Sequence, residues 1–190
     1  MSFEGVRLPP GRMRYCGPRF RDDATFLGSG RAEARRLVSE LAVGESTSLL
    51  EVGCGPGRLP IGMIAEGVRV ARYDGVDIDA AAVRWCRRHL SSDHPEMRFH
   101  HVEAQHRRYN PDGPAMAHTF RLPVDTGAVD LVYLHSVFAN LEPADIRVYL
   151  REFRRVLRPS GCVFLTPFVE DAVPPAPSIP LTTSRSAPAS

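Results

Sequence analysis

Apolar positions fall into stretches of different period, and the way those periods alternate predicts the architecture. In "RAEARRLVSELA", Ala34, Leu37, Val38 and Leu41 recur at helical spacing, which predicts a helix beginning after Gly28 and stopping near Gly44. "TSLLEVG" is an apolar run of strand length, and "GRLPIGMIAEG" returns to helical spacing despite Pro60 near its first turn. "VARYDGVDID" predicts a second strand ending in acids. Asp79 stands where an N-cap belongs, ahead of "AAAVRWCRRHL", whose Ala82, Val83, Cys86 and Leu90 form an apolar stripe. "MRFHHVE", "VDLVYLHSVF" and "GCVFLTPF" supply the third, fourth and fifth strands. Between the last two lies the clearest helix, "EPADIRVYLREFRRVL". Pro143 suits its first turn, Ile146, Tyr149, Leu150, Phe153, Val156 and Leu157 share a face, and Pro159 with Gly161 should end it.

Three regions carry no period. "AQHRRYNPDGPAMAHTFRLPVDTGA" is turn chemistry centred on Asn-Pro-Asp-Gly and predicts a long loop. Residues 1–27 predict an irregular N-terminal arm, and residues 173–190, rich in proline, serine and alanine, a disordered tail. One domain is expected over residues 28–172. Strands alternating with helices imply right-handed crossovers and an α/β, doubly wound, mostly parallel sheet covered on both faces.

Composition narrows the function classes. A 190-residue chain that is 43% hydrophobic and 24% charged reads as one soluble domain. No apolar run approaches the about 20 residues of a membrane helix, and the start has no apolar signal core, so a cytoplasmic location is expected. A net charge of +2 with no basic-aromatic module argues against nucleic acid as a partner. Cys16, Cys54, Cys86 and Cys162 are too far apart in sequence for a paired zinc motif. His100 and His101 should point to opposite faces of a strand, and no metal site is expected. The chain has no lysine, which excludes Schiff-base chemistry through a lysine amine.

The glycine junction Gly53-Cys54-Gly55-Pro56-Gly57 joins the first strand to the next helix. In a doubly wound sheet ligands bind beyond that strand end. Bare backbone lets a ligand press close, and the following helix start favours an anionic group. The spacing is GxGxG, not the GxGxxG of dinucleotide sites, which disfavours a nicotinamide-dependent oxidoreductase. Asp77, about 20 residues further on, suits a ribose diol, because a carboxylate accepts hydrogen bonds from both hydroxyls. Asp74 lies earlier in the strand and fits worse.

"LLEVGCGPG" resembles the first motif of class I S-adenosylmethionine-dependent methyltransferases, with Glu51 preceding GxGxG by one residue. The resemblance continues through "YDGVDID", "FRLPVDTGAVDLVYLHSVFANL" and "YLREFRRVLRPSGCVFLTPF", covering Ser48 to Phe168. It implies a Rossmann-like methyltransferase fold and S-adenosyl-L-methionine as cofactor. It implies that Gly53, Cys54, Gly55 and Gly57 line the methionine part, Glu51 organises the loop and the amino group, Asp77 holds the ribose and Ile78 meets the adenine. Glu103 is implied near the adenine amine, with a solvated loop acid as the other reading. His135 and Ser136 are implied at the transferred methyl group. His135 is the candidate general base, and a packed, hydrogen-bonded histidine is the alternative.

The resemblance implies a methyltransferase acting on a small-molecule acceptor. The alternative is a catalytically impaired cofactor-binding or interaction protein with a truncated methyltransferase fold. Asn140 stands where similar sequences tend to carry histidine, and the family sheet normally continues past the fifth strand with a helix and an antiparallel strand pair. An uncovered fifth strand leaves three options open: a homodimer through that edge, coverage by the N-terminal arm, or a truncated chain.

Overall fold

The computed structural model describes residues 2–15, 17–106, 110–117, 119–138 and 141–166. The expectations for Cys16, Asn140, the fifth strand beyond Thr166 and the tail lie outside those residues.

The arm is less irregular than its sequence. Strands β1 (Ser2–Phe3) and β2 (Val6–Arg7) pair antiparallel, and two 3-10 turns follow at Gly11–Met13 and Pro18–Arg21. One buried side chain ties them together. The Arg14 guanidinium donates to Pro9 O from Nε at 3.0 Å and from Nη2 at 2.8 Å, to Arg21 O at 3.1 Å and to Phe20 O at 3.4 Å. It also meets Asp23 at 2.6 Å and lies 4.8 Å from the Phe26 ring centroid. A backbone without sheet or helix partners thus has its carbonyls satisfied by one arginine fork.

Helix α1 (Asp23–Leu41) starts five residues before Gly28. Asp22 caps it, accepting from the Thr25 amide and hydroxyl, both at 2.8 Å. Two glycines early in the helix hide this start, and Gly30 is there for packing. A Cβ on Gly30 would lie 2.4 Å from Arg58 O, and one on Gly62 2.1 Å from the Gly30 backbone, so α1 crosses the next helix backbone to backbone.

Then come β3 (Ser48–Val52), α2 (Arg58–Ala65), β4 (Arg72–Asp77), α3 (Ala80–His89) and β5 (Met97–His101). After a long connection, β6 (Val129–His135), α4 (Pro143–Val156) and β7 (Leu157–Thr166) complete the described chain. The five main strands are parallel in the order β5-β4-β3-β6-β7. The winding therefore reverses between β3 and β6, which puts the ligand-binding crevice of a doubly wound sheet beside the glycine junction. The sheet is the α/β, doubly wound parallel arrangement its sequence implies.

All five β3 residues are buried because both faces are covered. Leu49, Tyr73 and Tyr133 pack against Leu37, Leu59 and Val83 of the first three helices. Leu50, Val52 and Val132 face Tyr149, Phe153 and Val156 of α4, together with Leu122 and Val124 from the long connection. Glu152 pins that connection. Its buried carboxylate accepts from the Leu122 amide at 2.9 Å, from Arg121 at 3.1 Å and from Arg155 at 2.7 Å. Arg155 in turn donates to Leu122 O at 3.0 Å and Val124 O at 2.9 Å.

Two boundaries differ from the sequence pattern. Leu157, counted on the apolar face of α4, already has extended dihedrals, and Pro159 and Gly161 lie within β7 instead of a turn before it. Leu157 pairs with Val129 and Cys162 with Leu131, so the extra residues between them bulge out of the ladder. Among the described residues no helix is long and apolar enough to cross a membrane.

The Glu152 clamp generates a stability prediction. Glu152→Ala should lower the unfolding free energy by about 3–5 kcal/mol, since it strands Arg155 and the Leu122 amide. Arg121→Ala, whose guanidinium is largely exposed, should cost no more than about 1 kcal/mol. Urea denaturation of the two variants checks the contrast.

Candidate functional site

The site is built where β3 ends. Gly53, Gly55 and Gly57 take φ of 79°, 49° and 85°, a run of left-handed dihedrals that side-chain-bearing residues rarely adopt. The loop is lashed to the neighbouring strand: the Gly53 and Cys54 amides donate to Val76 O at 2.8 and 3.1 Å. The Gly55 amide donates to Asp77 Oδ2 at 2.6 Å. The other oxygen of Asp77 accepts from the Asp79 amide at 2.8 Å, and Asp79 caps α3 through the Ala81 and Ala82 amides at 2.7 and 3.1 Å. One carboxylate thereby joins the glycine loop, the end of β4 and the start of α3. Burial pushes the Asp77 carboxyl above its ordinary pKa, against the pull of the Asp79 and Gly55 amides.

A cavity of about 690 Å³ opens over this junction. Its lining includes Glu51, Gly53, Cys54 and Gly55 from the loop, Asp77 and Ile78 from the end of β4, and His135 and Ser136 from the end of β6. A Cβ built on Gly55 would meet nothing within 4 Å, so the bare main chain there faces open space. Gly57, expected to line the methionine part, lies outside the cavity lining: it is the buried N-cap of α2, and a Cβ on it would press to 2.9 Å from Leu90.

Glu51 is 3% exposed and accepts a short hydrogen bond from the Tyr73 hydroxyl. Burial pushes its carboxyl up to about 7; the Tyr73 bond and Arg58 oppose the rise, while Asp77 and Glu33 add to it. At β6, His135 Nδ1 lies 3.3 Å from the Thr166 hydroxyl, which also accepts from the Ser136 amide at 3.1 Å. Burial, and after it Arg58, lowers the His135 pKa, so the imidazole is neutral at neutral pH. Ser136 turns the chain out of the strand with φ 56°.

Some candidates lie elsewhere. Glu103 is outside the cavity lining, its side chain 68% exposed and 3.8 Å from His101 Nδ1, in keeping with the solvated-acid reading. Asp74 is fully buried in the sheet, where His100 Nε2 holds it at 2.8 Å and Arg72 from the other side. His101 Nε2 instead donates to Ile78 O at 3.1 Å, so the adjacent histidines diverge.

The cavity also draws on residues the sequence pattern did not single out for the site. Arg58 closes the glycine loop, Met116 and His106 come from the unperiodic long connection, and Tyr149 reads in sequence as part of the α4 core stripe. Tyr15 and Phe20 of the arm and the buried Phe26 of α1 also line the cavity, and the Tyr15 hydroxyl donates a short hydrogen bond to Asp79. That places the arm at the cavity.

The sequence family described as a methyltransferase domain matches residues 49–161. Among solved structures, a candidate S-adenosyl-L-methionine-dependent methyltransferase from Methanococcus maripaludis superposes with a TM-score of 0.56 at 14% identity, over 74% of this chain and 57% of that one. Phosphoethanolamine N-methyltransferase 1 of Haemonchus contortus, in complex with phosphoethanolamine and S-adenosylhomocysteine, gives 0.54 at 18% identity over 74% of this chain and 26% of that one. An S-adenosylmethionine-dependent methyltransferase from Aquifex aeolicus gives 0.53 at 16% identity over 89% and 79%. At such identities the likeness is one of fold. The chain spans 57% of the first of these proteins and 26% of the second.

The raised Glu51 carboxyl has a signed consequence. Its folded pKa of about 7 exceeds the ordinary 4.5, so its contribution to stability is complete below about pH 4.5 and is lost as pH rises through 7. Without ligand, Glu51→Gln should abolish that part of the decline. The thermal midpoint of the variant minus that of the unaltered chain should grow from about pH 5 to pH 8; a constant difference would show that Glu51 does not titrate there.

Proposed function

The chain belongs to the methyltransferase-domain family, and on that premise we propose that it binds S-adenosyl-L-methionine and passes the methyl group to a small-molecule acceptor by direct displacement. The observation that carries this reading is the meeting of bare glycine backbone and the Asp77 carboxylate at the floor of one cavity, at the point where the sheet reverses its winding. The residues fit such a cofactor. Asp77 uses one acceptor position on each oxygen for a backbone amide, and a carboxylate has about four, so both oxygens can still receive a ribose hydroxyl. Ile78 offers an apolar surface for the adenine. Gly53, Cys54 and Gly55 line the cavity and leave room for the methionine portion, and Glu51, at the buried end of the cavity, suits its ammonium group.

The cofactor supplies an electrophilic methyl group on a sulfonium that is already a good leaving group. What this chain's residues contribute is placement. Holding donor and acceptor in line is worth up to about 7–11 kcal/mol in favourable systems. The arm supports that role, since Tyr15 and Phe20 cover the opening and limit water. His135 and Ser136 border the region where an acceptor would sit, and a neutral imidazole there can take a proton from an acceptor that must lose one. An acceptor that already carries a lone pair needs no such help. The half-open cavity of about 690 Å³ supports a small acceptor.

Calorimetry with S-adenosylhomocysteine against NAD tests the reading. S-adenosylhomocysteine should bind and NAD should not; NAD binding with S-adenosylhomocysteine ignored would overturn it. Asp77→Ala should weaken S-adenosylhomocysteine by about 1.5–3 kcal/mol, as expected for hydrogen bonds to a charged group. An unchanged affinity would show that the ribose lies elsewhere. A screen of small nucleophiles with methyl-labelled cofactor then identifies the acceptor.

A further inference from the structure

We propose that Thr166 fixes His135 as a hydrogen-bond donor to the methyl acceptor, and that the acceptor this suits is a carboxylate, which arrives with no proton to lose. The inference rests on the cofactor reading above and deepens it by naming the class of acceptor.

His135 ends β6 and Thr166 ends β7, and the two are paired in the ladder, so their side chains stand side by side on one face. Among the described residues the Thr166 hydroxyl has two hydrogen-bond neighbours. It accepts from the Ser136 amide at 3.1 Å and lies 3.3 Å from His135 Nδ1. A hydroxyl carries one proton and two lone pairs. The amide takes a lone pair, so the arrangement that leaves no donor idle sends the hydroxyl proton to Nδ1. Nδ1 is then bare, and the neutral ring keeps its own proton on Nε2. The same hydroxyl holds the turn beside the ring: Ser136 has φ 56°, a conformation serine seldom adopts, and its amide is tied to β7 by this bond.

His135 lines the cavity, and among the described residues its one hydrogen-bond partner is Thr166, on Nδ1. Nε2 is therefore left for a ligand, and an N–H there binds a lone pair and cannot take a proton. The charged groups that bear on the ring are Arg58 from α2 and Glu33 and Arg36 from α1. Burial and the two arginines hold its pKa down against Glu33, so the ring is uncharged at neutral pH. Such a site selects its acceptor. An alcohol or phenol must shed a proton as it is methylated, whereas a carboxylate is already ionised at neutral pH. One carboxylate oxygen accepts from His135 Nε2 and the other attacks the methyl carbon. The carbon–sulfur bond breaks with its electron pair passing to sulfur, giving a methyl ester and S-adenosylhomocysteine with no proton released. The positive field of Arg58 and Arg36 at the imidazole favours an anion in that place.

The test reads the ring directly, on the full chain with nitrogen-15-labelled histidine, the His135 signals being those missing from His135→Gln. At about pH 8, above the ordinary histidine pKa, long-range proton–nitrogen spectra should show the proton on Nε2, the nitrogen strongly coupled to both ring C–H protons. The Thr166 bond favours the bare Nδ1, so Thr166→Val should raise the His135 titration midpoint by about half to one pH unit, the worth of one hydrogen bond. Thr166→Ser keeps the hydroxyl and should titrate with the unaltered chain. A proton found on Nδ1, or a midpoint that falls or stays put in Thr166→Val, would overturn the assignment of Thr166. Should Thr166→Val fail to fold, the tautomer of the unaltered chain decides alone. With methyl-labelled S-adenosylmethionine, a panel of carboxylic acids that includes benzoate and hexanoate is set against the matching phenol and alcohols. The acids should gain label at least about 100-fold faster, since the hydroxyl compounds lack a base. Label on the hydroxyl compounds, or on no carboxylic acid, would refute the acceptor class. If S-adenosylhomocysteine did not bind, the cofactor reading would fall and the acceptor class with it, while the tautomer measurement would still judge Thr166.

Discussion

The candidate site depends on the two hydrogen bonds that Asp77 accepts from Gly55 and Asp79. The three glycines of the loop have no side chains with which to fix its shape, and their left-handed dihedrals make it entropically expensive to hold. The acid at the end of the neighbouring strand supplies the restraint together with Val76 O, which receives the Gly53 and Cys54 amides. It fastens the loop without covering it, because the bonds come from the loop's edge and leave the main chain above Gly55 facing open space. The adjoining Asp79 extends the same arrangement, capping α3 while meeting the Tyr15 hydroxyl of the arm. Sheet, loop, helix and arm therefore converge on two acids two residues apart.

The two faces of the sheet reach the same burial by different means. One is covered by three helices, with α1 and α2 in backbone contact. The other has only α4 among its described helices, and the segment carrying Leu122 and Val124 fills the remaining area. Apart from the Val124 amide on Leu122 O at 2.8 Å, the Leu122 to Val124 stretch makes no internal backbone hydrogen bond, so its other groups need outside partners. Glu152 and Arg155 provide them as one unit, which explains an acid with no exposed surface on the inner face of an amphipathic helix. In β4 the fully buried Asp74, held by His100 and Arg72, has a similar character.

Much of this was legible in the sequence where local chemistry and tertiary context agree. The glycine junction, the Asp79 cap, the five strands, Pro143 at the start of α4 and Asp77 beside the loop all follow from spacing and residue type. Two of the misreadings share one cause: residues that usually interrupt structure are placed here for contact or within a bulge. Gly30 lies inside α1 because another backbone passes it, and Pro159 lies inside β7 because the strand bulges there. The arm looked unstructured since its order comes from Arg14, a single side chain acting across nine residues. Glu103 was inferred from a resemblance, and its exposed side chain lies outside the cavity lining. Arg58 carried no signal in a charge pattern dominated by solvated arginines.

The contact between Gly30 and Gly62 also determines how the molecule can deform. With carbonyl against Cα and no side chains to roll past each other, α1 can neither slide along nor rotate about α2 without atomic overlap. The two helices constitute a single lever whose far end is the first turn of α2, at the cavity. Tyr15 and Phe20, which reach the cavity from the arm, therefore meet a floor whose helical part moves as one piece.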